Sequence, residues 1–146
     1  MAGPIDTQAG RAELLAAIAP DTAERQHALI RQIFHAEFEA RSKAWSVDSD
    51  FDGDYFENLY WSAFLLYLVG DPSDVPMMWR AKHIDFDTGC GFDVQNMLGA
   101  GAAATLAYLT EHGHDDIAEA LSRYPELHDD PQDWEEARRE YFWTTG

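Results

Sequence analysis

The chain has 146 residues, of which 46% are hydrophobic and 13% aromatic, enough to bury a core within one domain. Its 10 lysines and arginines stand against 27 aspartates and glutamates, which leaves a formal net charge of −17. This charge excludes nucleic acids and anionic membrane surfaces as natural partners, because like charges repel. We therefore expect a single folded domain over residues 1–146, with residues 1–8 loose, that binds neither nucleic acid nor membrane.

The sequence carries no sign of secretion or membrane insertion. Cys90 is the only cysteine, so no disulfide can form within the chain and a reducing compartment suits the protein. The first eight residues contain neither the basic nor the apolar stretch of a signal peptide. The longest apolar run, residues 59–69, is about half the length of a membrane span. These features predict a cytoplasmic protein.

Apolar residues recur with the helical period along nearly the whole chain, and no segment alternates long enough to predict a strand. Prolines and glycines punctuate this pattern where helices begin and end. The predicted helices cover about 11–19, 21–45, 54–69, 71–84, 92–98, 101–112, 115–123 and 131–143. Residues 85–91 are predicted to form a loop. The predicted fold class is all-α, a compact bundle or stack of helical hairpins made of about seven short helices.

Two of these helices carry the clearest patterns. In the helix over 21–45, one apolar stripe is predicted to face the core, and charged residues such as Glu37 and Arg41 are predicted to lie elsewhere. The helix over 54–69 is apolar on nearly all sides, which marks it as the centre of the fold. Gly70 is the expected end of that helix, since glycine adopts the left-handed conformation found at helix C-termini.

The acidic residues are unevenly distributed. No lysine or arginine occurs between Lys43 and Arg80, or between Lys82 and Arg123, whereas both stretches are rich in acids. We expect these acids to form an extended negative surface that attracts and steers a basic protein partner, and general acidity that keeps the chain in solution is the alternative. Aromatic residues exposed beside acids would supply the affinity, and the last helix is rich in them. The predicted partner-binding residues are Asp48, Asp50, Asp52, Asp54, Asp85, Asp87, Trp134 and Trp143.

The segment from Asp48 to Asp54 matches the first half of an EF-hand calcium loop. Asp48, Asp50 and Asp52 are its candidate metal ligands, because carboxylates around a glycine turn can wrap a hard cation. The twelfth position, which should be a bidentate glutamate, is Leu59. Weak calcium binding by the 48–57 loop is therefore one alternative, and a solvated loop that caps the next helix is the other. No cofactor and no required metal is predicted.

A second alternative is a small enzyme with a pocket near residues 83–93. Cys90 lies between two glycines, and His83 could act as its base only if the fold brought the two side chains together. Residues 99–104 match the shape of a dinucleotide-binding fingerprint, but no strand–helix–strand unit surrounds them. Small residues that let two helices approach closely are the preferred interpretation there. No catalytic constellation emerges, so no reaction is predicted.

Part of the chain resembles a group of small acidic bacterial proteins. The resemblance lies in Tyr55-Phe-Glu-Asn-Leu-Tyr-Trp61, Phe86-Asp-Thr-Gly-Cys-Gly-Phe-Asp93, Leu98-Gly-Ala-Gly101 and Thr105-Leu-Ala-Tyr-Leu109. In size and charge the chain is similar to the immunity proteins of bacterial toxin systems. That resemblance implies a cytoplasmic helical inhibitor that occludes a cationic toxin or enzyme domain. No residue-level signature accompanies it, so it assigns no site residue.

Overall fold

The structure is a computed structural model that describes residues 3–44, 46, 49 and 51–143. Helices, counting α and 3-10 together, make up 79% of this part of the chain, and it contains no strand. The all-α prediction is therefore confirmed. The α-helices of these ranges are α1 Gln8–Ala17, α2 His27–Ser42, α3 Glu57–Val69, α4 Val75–Lys82, α5 Phe86–Gly91, α6 Ala102–Glu111, α7 Asp115–Ser122 and α8 Gln132–Trp143.

Short 3-10 segments precede most of these helices. Four of them begin with a proline, namely Pro4, Pro20, Pro72 and Pro125. Proline suits this place because its φ angle is helical and its missing N–H would have no partner in a first turn. The helix predicted from residue 21 consequently starts as a 3-10 segment over Pro20–Gln26, and α2 begins only at His27.

Residues 85–91, which were predicted to form a loop, form α5 instead. The Asp85 carboxylate accepts a hydrogen bond from the backbone N–H of Thr88 at 2.7 Å and so caps this helix. Gly89 and Gly91 lower the helix propensity, which is why the sequence pattern favoured a loop. The helix predicted over 92–98 is a 3-10 segment, Val94–Leu98.

Helix α3 occupies the centre of the molecule, as its apolar pattern predicted. Leu59, Ala63 and Leu65 are fully buried, and so are Ile33 and Phe34 on the neighbouring helix α2. The same core continues from α1 through to α7. In the described ranges no helix is both long and apolar enough to cross a membrane.

Two charged residues of α2 lie in the interior, against expectation. Glu37 is 1% exposed and Arg41 is 8% exposed. Glu37 accepts hydrogen bonds from Arg11 at 2.5 Å and from Asn58 at 3.1 Å, and this pairing offsets the cost of burying its charge. Arg11 also donates to the carbonyl of Ile5 at 2.8 Å, which ties down a segment that was expected to be loose.

Helix α8 is attached to α3 by aromatic side chains. Phe142 stacks on Trp61 with ring centroids 5.4 Å apart, and Trp134 meets Tyr67 edge-on at 4.9 Å. The Tyr67 hydroxyl donates to Glu135 at 3.1 Å. These contacts turn one face of α8 into part of the interior.

Glycines allow α3 to end and its neighbour to approach. Gly70 adopts the left-handed conformation with φ of 75°, and its N–H donates to the carbonyl of Leu66. A Cβ atom on Gly99 would lie 2.2 Å from the Tyr67 carbonyl oxygen. Only glycine fits there, so the predicted close approach is seen at Gly99, whereas a Cβ atom on Gly101 would have nothing within 4 Å.

Candidate functional site

The two acid-rich segments, 51–57 and 85–91, meet at the buried side chain of Arg41. Its guanidinium donates to the carbonyl oxygen of Phe56 at 2.6 Å and to the Thr88 hydroxyl at 3.3 Å. It also donates to the Tyr60 hydroxyl at 3.3 Å and lies 5.3 Å from the centroid of that ring. One cation therefore holds the start of α3 and helix α5 together.

Arg41 makes these contacts with neutral groups. No carboxylate of the described residues forms an ion pair with it, and its Nε atom is buried without a hydrogen-bond partner there. Its charge acts on Asp85 from a distance. The backbone hydrogen bond from Thr88 is the main cause that lowers the pKa of Asp85, and Arg41 lowers that pKa further. Asp85 is thus held as a carboxylate.

The described acids among the predicted partner-binding residues are all exposed around this junction. Asp52 and Asp54 lie on the first segment, and Asp85 and Asp87 lie on the second. We call these four residues the acidic rim. Asp52 caps the turn after it through the N–H of Asp54 at 2.9 Å, so the rim carboxylates sit on ordered backbone. Asp48 and Asp50 lie outside the described residues.

Phe86 is the most exposed large apolar side chain of the described residues. It is 83% exposed and lies between Asp85 and Asp87 at the start of α5. Sequence reasoning missed it because residues 85–91 were predicted to form a loop. The signal that could have found it is the order acid–aromatic–acid, with no apolar residue three or four positions before it to share its face.

The two predicted tryptophans have roles within the fold. The indole N–H of Trp134 donates to Asp93 at 2.9 Å, and that of Trp143 donates to the carbonyl of Ile18 at 3.0 Å. Both side chains are partly buried against Phe64. The structure places them on the inner face of α8, and it does not bring them together with the acidic rim.

Two adjoining cavities open beside Phe86. One, of about 470 Å³, is lined by residues of α4, α5 and Tyr124, and the other, of about 340 Å³, lies between α4 and α7. His83 and Tyr124 line both cavities. We call this pair of cavities the groove. It lies where the sequence predicted a pocket near 83–93, and its lining includes Trp79, Lys82, His83, Asp85, Phe86, Cys90 and Tyr124.

Lys82 is the half-buried cation of the groove. Its ammonium donates to the carbonyl oxygens of Gly89 at 2.7 Å and of Phe92 at 2.5 Å. Burial lowers the pKa of Lys82, while the negative charge of Asp93 acts in the opposite direction. An ammonium has three N–H donors, so one of them remains after these two bonds.

A hydrogen bond of the His83 ring defines the roles of its two nitrogen atoms. Its Nδ1 atom lies 2.7 Å from the carbonyl oxygen of Trp79, which can only accept, so Nδ1 carries a proton. In the neutral ring Nε2 is therefore an acceptor. Cys90 is exposed and lines the same groove. A thiol and an imidazole thus share a cavity, without a contact that would make them a catalytic pair.

A third cavity, of about 400 Å³, lies on the other side of the acidic rim. It is lined by Asp6, Arg11 and Asp52 together with small and polar residues of α1 and α2. Within the described ranges no group of three or more histidine, cysteine, aspartate or glutamate side chains is placed to hold a metal ion. The predicted calcium loop cannot be assembled from them, since Asp48 and Asp50 are not among them.

In comparisons with known proteins, no family model matches the sequence, no curated protein matches it, and no solved structure matches the chain.

Proposed function

We propose that this chain is an acidic helical binding protein that engages the basic surface of a protein partner through the acidic rim and Phe86. The observation that carries the proposal is Phe86, which is 83% exposed between two aspartates on a capped helix. An exposed aromatic ring costs solvation free energy in the unbound protein. Burial of such a ring at the centre of an interface is a common source of affinity.

The charge of the molecule supports the same proposal. Six of the ten basic side chains are already paired with acids of the chain: Arg11, Arg31, Lys43, Arg123, Arg138 and Arg139. The acidic rim has no such ion pair in the described part of the chain. A partner with lysines and arginines would supply the missing counter-charges and would be steered toward the rim.

The most specific form of the proposal is an immunity-type inhibitor in the bacterial cytoplasm, which occludes a cationic toxin or enzyme domain. The acids would set the rate and orientation of association. Phe86 would enter an apolar pocket of the partner and supply a large share of the affinity. A small and strongly acidic helical chain suits this role.

A photo-crosslinking amino acid in place of Phe86 tests the proposal in cells. We expect it to capture a protein with a basic surface, whereas the same amino acid in place of Tyr141 should not. Tyr141 is the matched control because it is also an exposed aromatic, at 57%, but lies on α8. Equal capture from both positions, or capture of acidic proteins from position 86, would count against the proposed surface.

Association kinetics with the captured partner test the role of the rim. The on-rate should fall at least about tenfold between roughly 50 and 500 mM salt, because the Debye length falls from about 14 to about 4 Å. Changing all four rim aspartates to asparagine should slow association at low salt. The control changes four exposed acids elsewhere to amides: Asp116, Asp129, Asp133 and Glu136.

The control variant has the same net charge as the rim variant. If the on-rate falls by the same factor in both variants, only the total charge matters and the rim is not the docking surface. Asparagine is chosen because its side-chain oxygen can still cap the turns that Asp52 and Asp85 cap. Calcium binding by the 48–57 loop and a small enzyme with a pocket near residues 83–93 remain the alternatives.

A further inference from the structure

We propose that the groove is a binding site for a small planar aromatic anion, which would share the Phe86 side chain with the proposed protein contact but would be held by Lys82. The juxtaposition that carries it is the Lys82 ammonium, with one N–H left over, beside the rings of Phe86 and Tyr124 in the larger cavity, while Trp79 lines the adjoining smaller cavity. The proposal goes beyond the proposed function, because it needs no partner protein.

Lys82 is one of four basic side chains, with Arg25, Arg41 and Arg80, that form no ion pair among the described residues. Acids outnumber bases 27 to 10, yet no described carboxylate forms an ion pair with the Lys82 ammonium. Its two acceptors are neutral carbonyl oxygens, which fix its position without cancelling its charge. A carboxylate or a similar anion in the cavity would accept the third N–H in a charge-assisted hydrogen bond.

The rest of the groove suits the apolar part of such a ligand. Trp79 and His83 pack together with ring centroids 4.3 Å apart and form one wall. Phe86 stands exposed at the edge of the larger cavity, and Tyr124 lies between the two cavities with the Lys82 ammonium 5.9 Å from its ring centroid. Aromatic side chains with a few fixed polar groups are the usual lining of small-molecule sites.

Arg123 adds a second cation at the far end of the groove. It lines the smaller cavity, and its side chain is 73% exposed and paired with Glu119. The net charge of −17 opposes an approaching anion at long range, and the Asp85 carboxylate at the larger cavity opposes it locally, so the anionic group must lie against Lys82. Salt screens that repulsion beyond about 8 Å under physiological conditions, whereas a direct contact with a half-buried ammonium is screened much less.

Cys90 provides the assay, because it is the only cysteine of the chain and it lines the larger cavity. The rate of its alkylation by iodoacetamide is measured with increasing 2-naphthoate, a planar aromatic carboxylate. We expect 2-naphthoate to slow alkylation of the wild-type chain in a saturable way. The neutral isostere 2-naphthamide should need at least tenfold more ligand for the same protection.

Variants then locate the anion contact. Lys82→Gln should raise the naphthoate concentration for half-protection at least tenfold, and Lys82→Arg should retain most of the protection because it keeps the charge. Arg80→Gln is the matched control, since Arg80 is an exposed cation on the same helix that does not line the groove. Circular dichroism verifies that each variant is folded.

Three results would each overturn the site. They are no protection of wild-type Cys90 at millimolar naphthoate, equal protection by naphthoate and naphthamide, or unchanged protection in a folded Lys82→Gln chain. The second comparison uses the wild-type chain alone, so it decides the question even if Lys82→Gln fails to fold. A chain that binds naphthoate but captures no basic protein through position 86 would refute the proposed function and leave this site standing.

Discussion

Single residues decide how the acidic segments are held, and Arg41 is the clearest case. Its guanidinium bridges the backbone of Phe56 and the hydroxyl of Thr88 from within the core. A buried charge with several hydrogen bonds is costly to desolvate but also costly to lose, because its removal leaves acceptors without donors. The geometry of the acidic rim therefore depends on a residue that a partner would never touch.

Replacing Arg41 by methionine should lower the free energy of unfolding by about 2–4 kcal/mol, because the side chain would fill much of the space without donating hydrogen bonds. The pKa of Asp85 should rise, since Arg41 is one of the causes that lower it. Urea titration and NMR of the carboxyl carbon measure the two effects. Lys43→Met is the control at the C-cap of the same helix, where the side chain is 73% exposed, and it should cost less than about 0.5 kcal/mol. Equal losses in the two variants would show that Arg41 has no special structural role.

The raised pKa of Tyr67 predicts that the stability of the protein falls at alkaline pH. Burial, and then the hydrogen bond to Glu135, raise its pKa above the ordinary value. Below about pH 10, near the pKa of tyrosine in the unfolded chain, the contribution of Tyr67 to stability is complete. As the pH rises toward the higher pKa of Tyr67 in the folded chain, this contribution is lost, because only the unfolded chain releases the proton. Above pH 10 the wild-type free energy of unfolding should fall more steeply than that of Tyr67→Phe, by up to about 1.4 kcal/mol per pH unit. Urea titrations of both chains between pH 8 and 11.5 test this, and parallel curves would contradict it.

At the scale of whole helices, the stability of α8 depends on its tertiary contacts. Its sequence is strongly polar, and Phe142, at 6% exposed, is the one residue of this helix that is buried. Helices of this length are marginal alone in water, so packing against α3 must supply their stability. The tryptophans that sequence patterns suggested for a partner are used for this attachment.

Phe142→Ala should lower the free energy of unfolding by about 3–5 kcal/mol, because it removes a buried ring and leaves a cavity between α8 and α3. Tyr141→Ala is the neighbouring control, and it should cost about 1 kcal/mol or less since that ring is 57% exposed. Urea titration followed by tryptophan fluorescence compares the two. If Tyr141→Ala proves as damaging as Phe142→Ala, the assignment of the inner face of α8 is wrong.

For the whole molecule, the net charge of −17 is the dominant quantity. Like charges repel more strongly in a folded chain than in an expanded one, so the acidity opposes folding. Exposed ion pairs of the chain, such as Arg123 with Glu119, are each worth little. Screening should therefore remove more repulsion than attraction.

We expect the melting temperature to rise by several degrees between roughly 50 and 500 mM NaCl, because salt of this concentration screens the self-repulsion. The same rise in KCl would identify screening as its cause, and sucrose at equal osmolality is the nonionic control. An unchanged or falling melting temperature would contradict this account. A rise of several degrees in millimolar calcium that EDTA reverses would instead favour the calcium alternative, because a bound ion stabilises the state that holds it.

The sequence alone determined the fold class and the central helix, because helical periodicity and apolar density are local properties that survive in any arrangement of helices. It also located the end of α3 at Gly70 and the acids Asp52, Asp54, Asp85 and Asp87, since uncompensated charge stays near the surface. Only the tertiary structure decided that Arg41 and Glu37 are buried, that Trp134 and Trp143 face inward, and that Phe86 faces outward. Whether an aromatic or charged residue is buried depends on which neighbours meet it, and those neighbours come from distant parts of the chain.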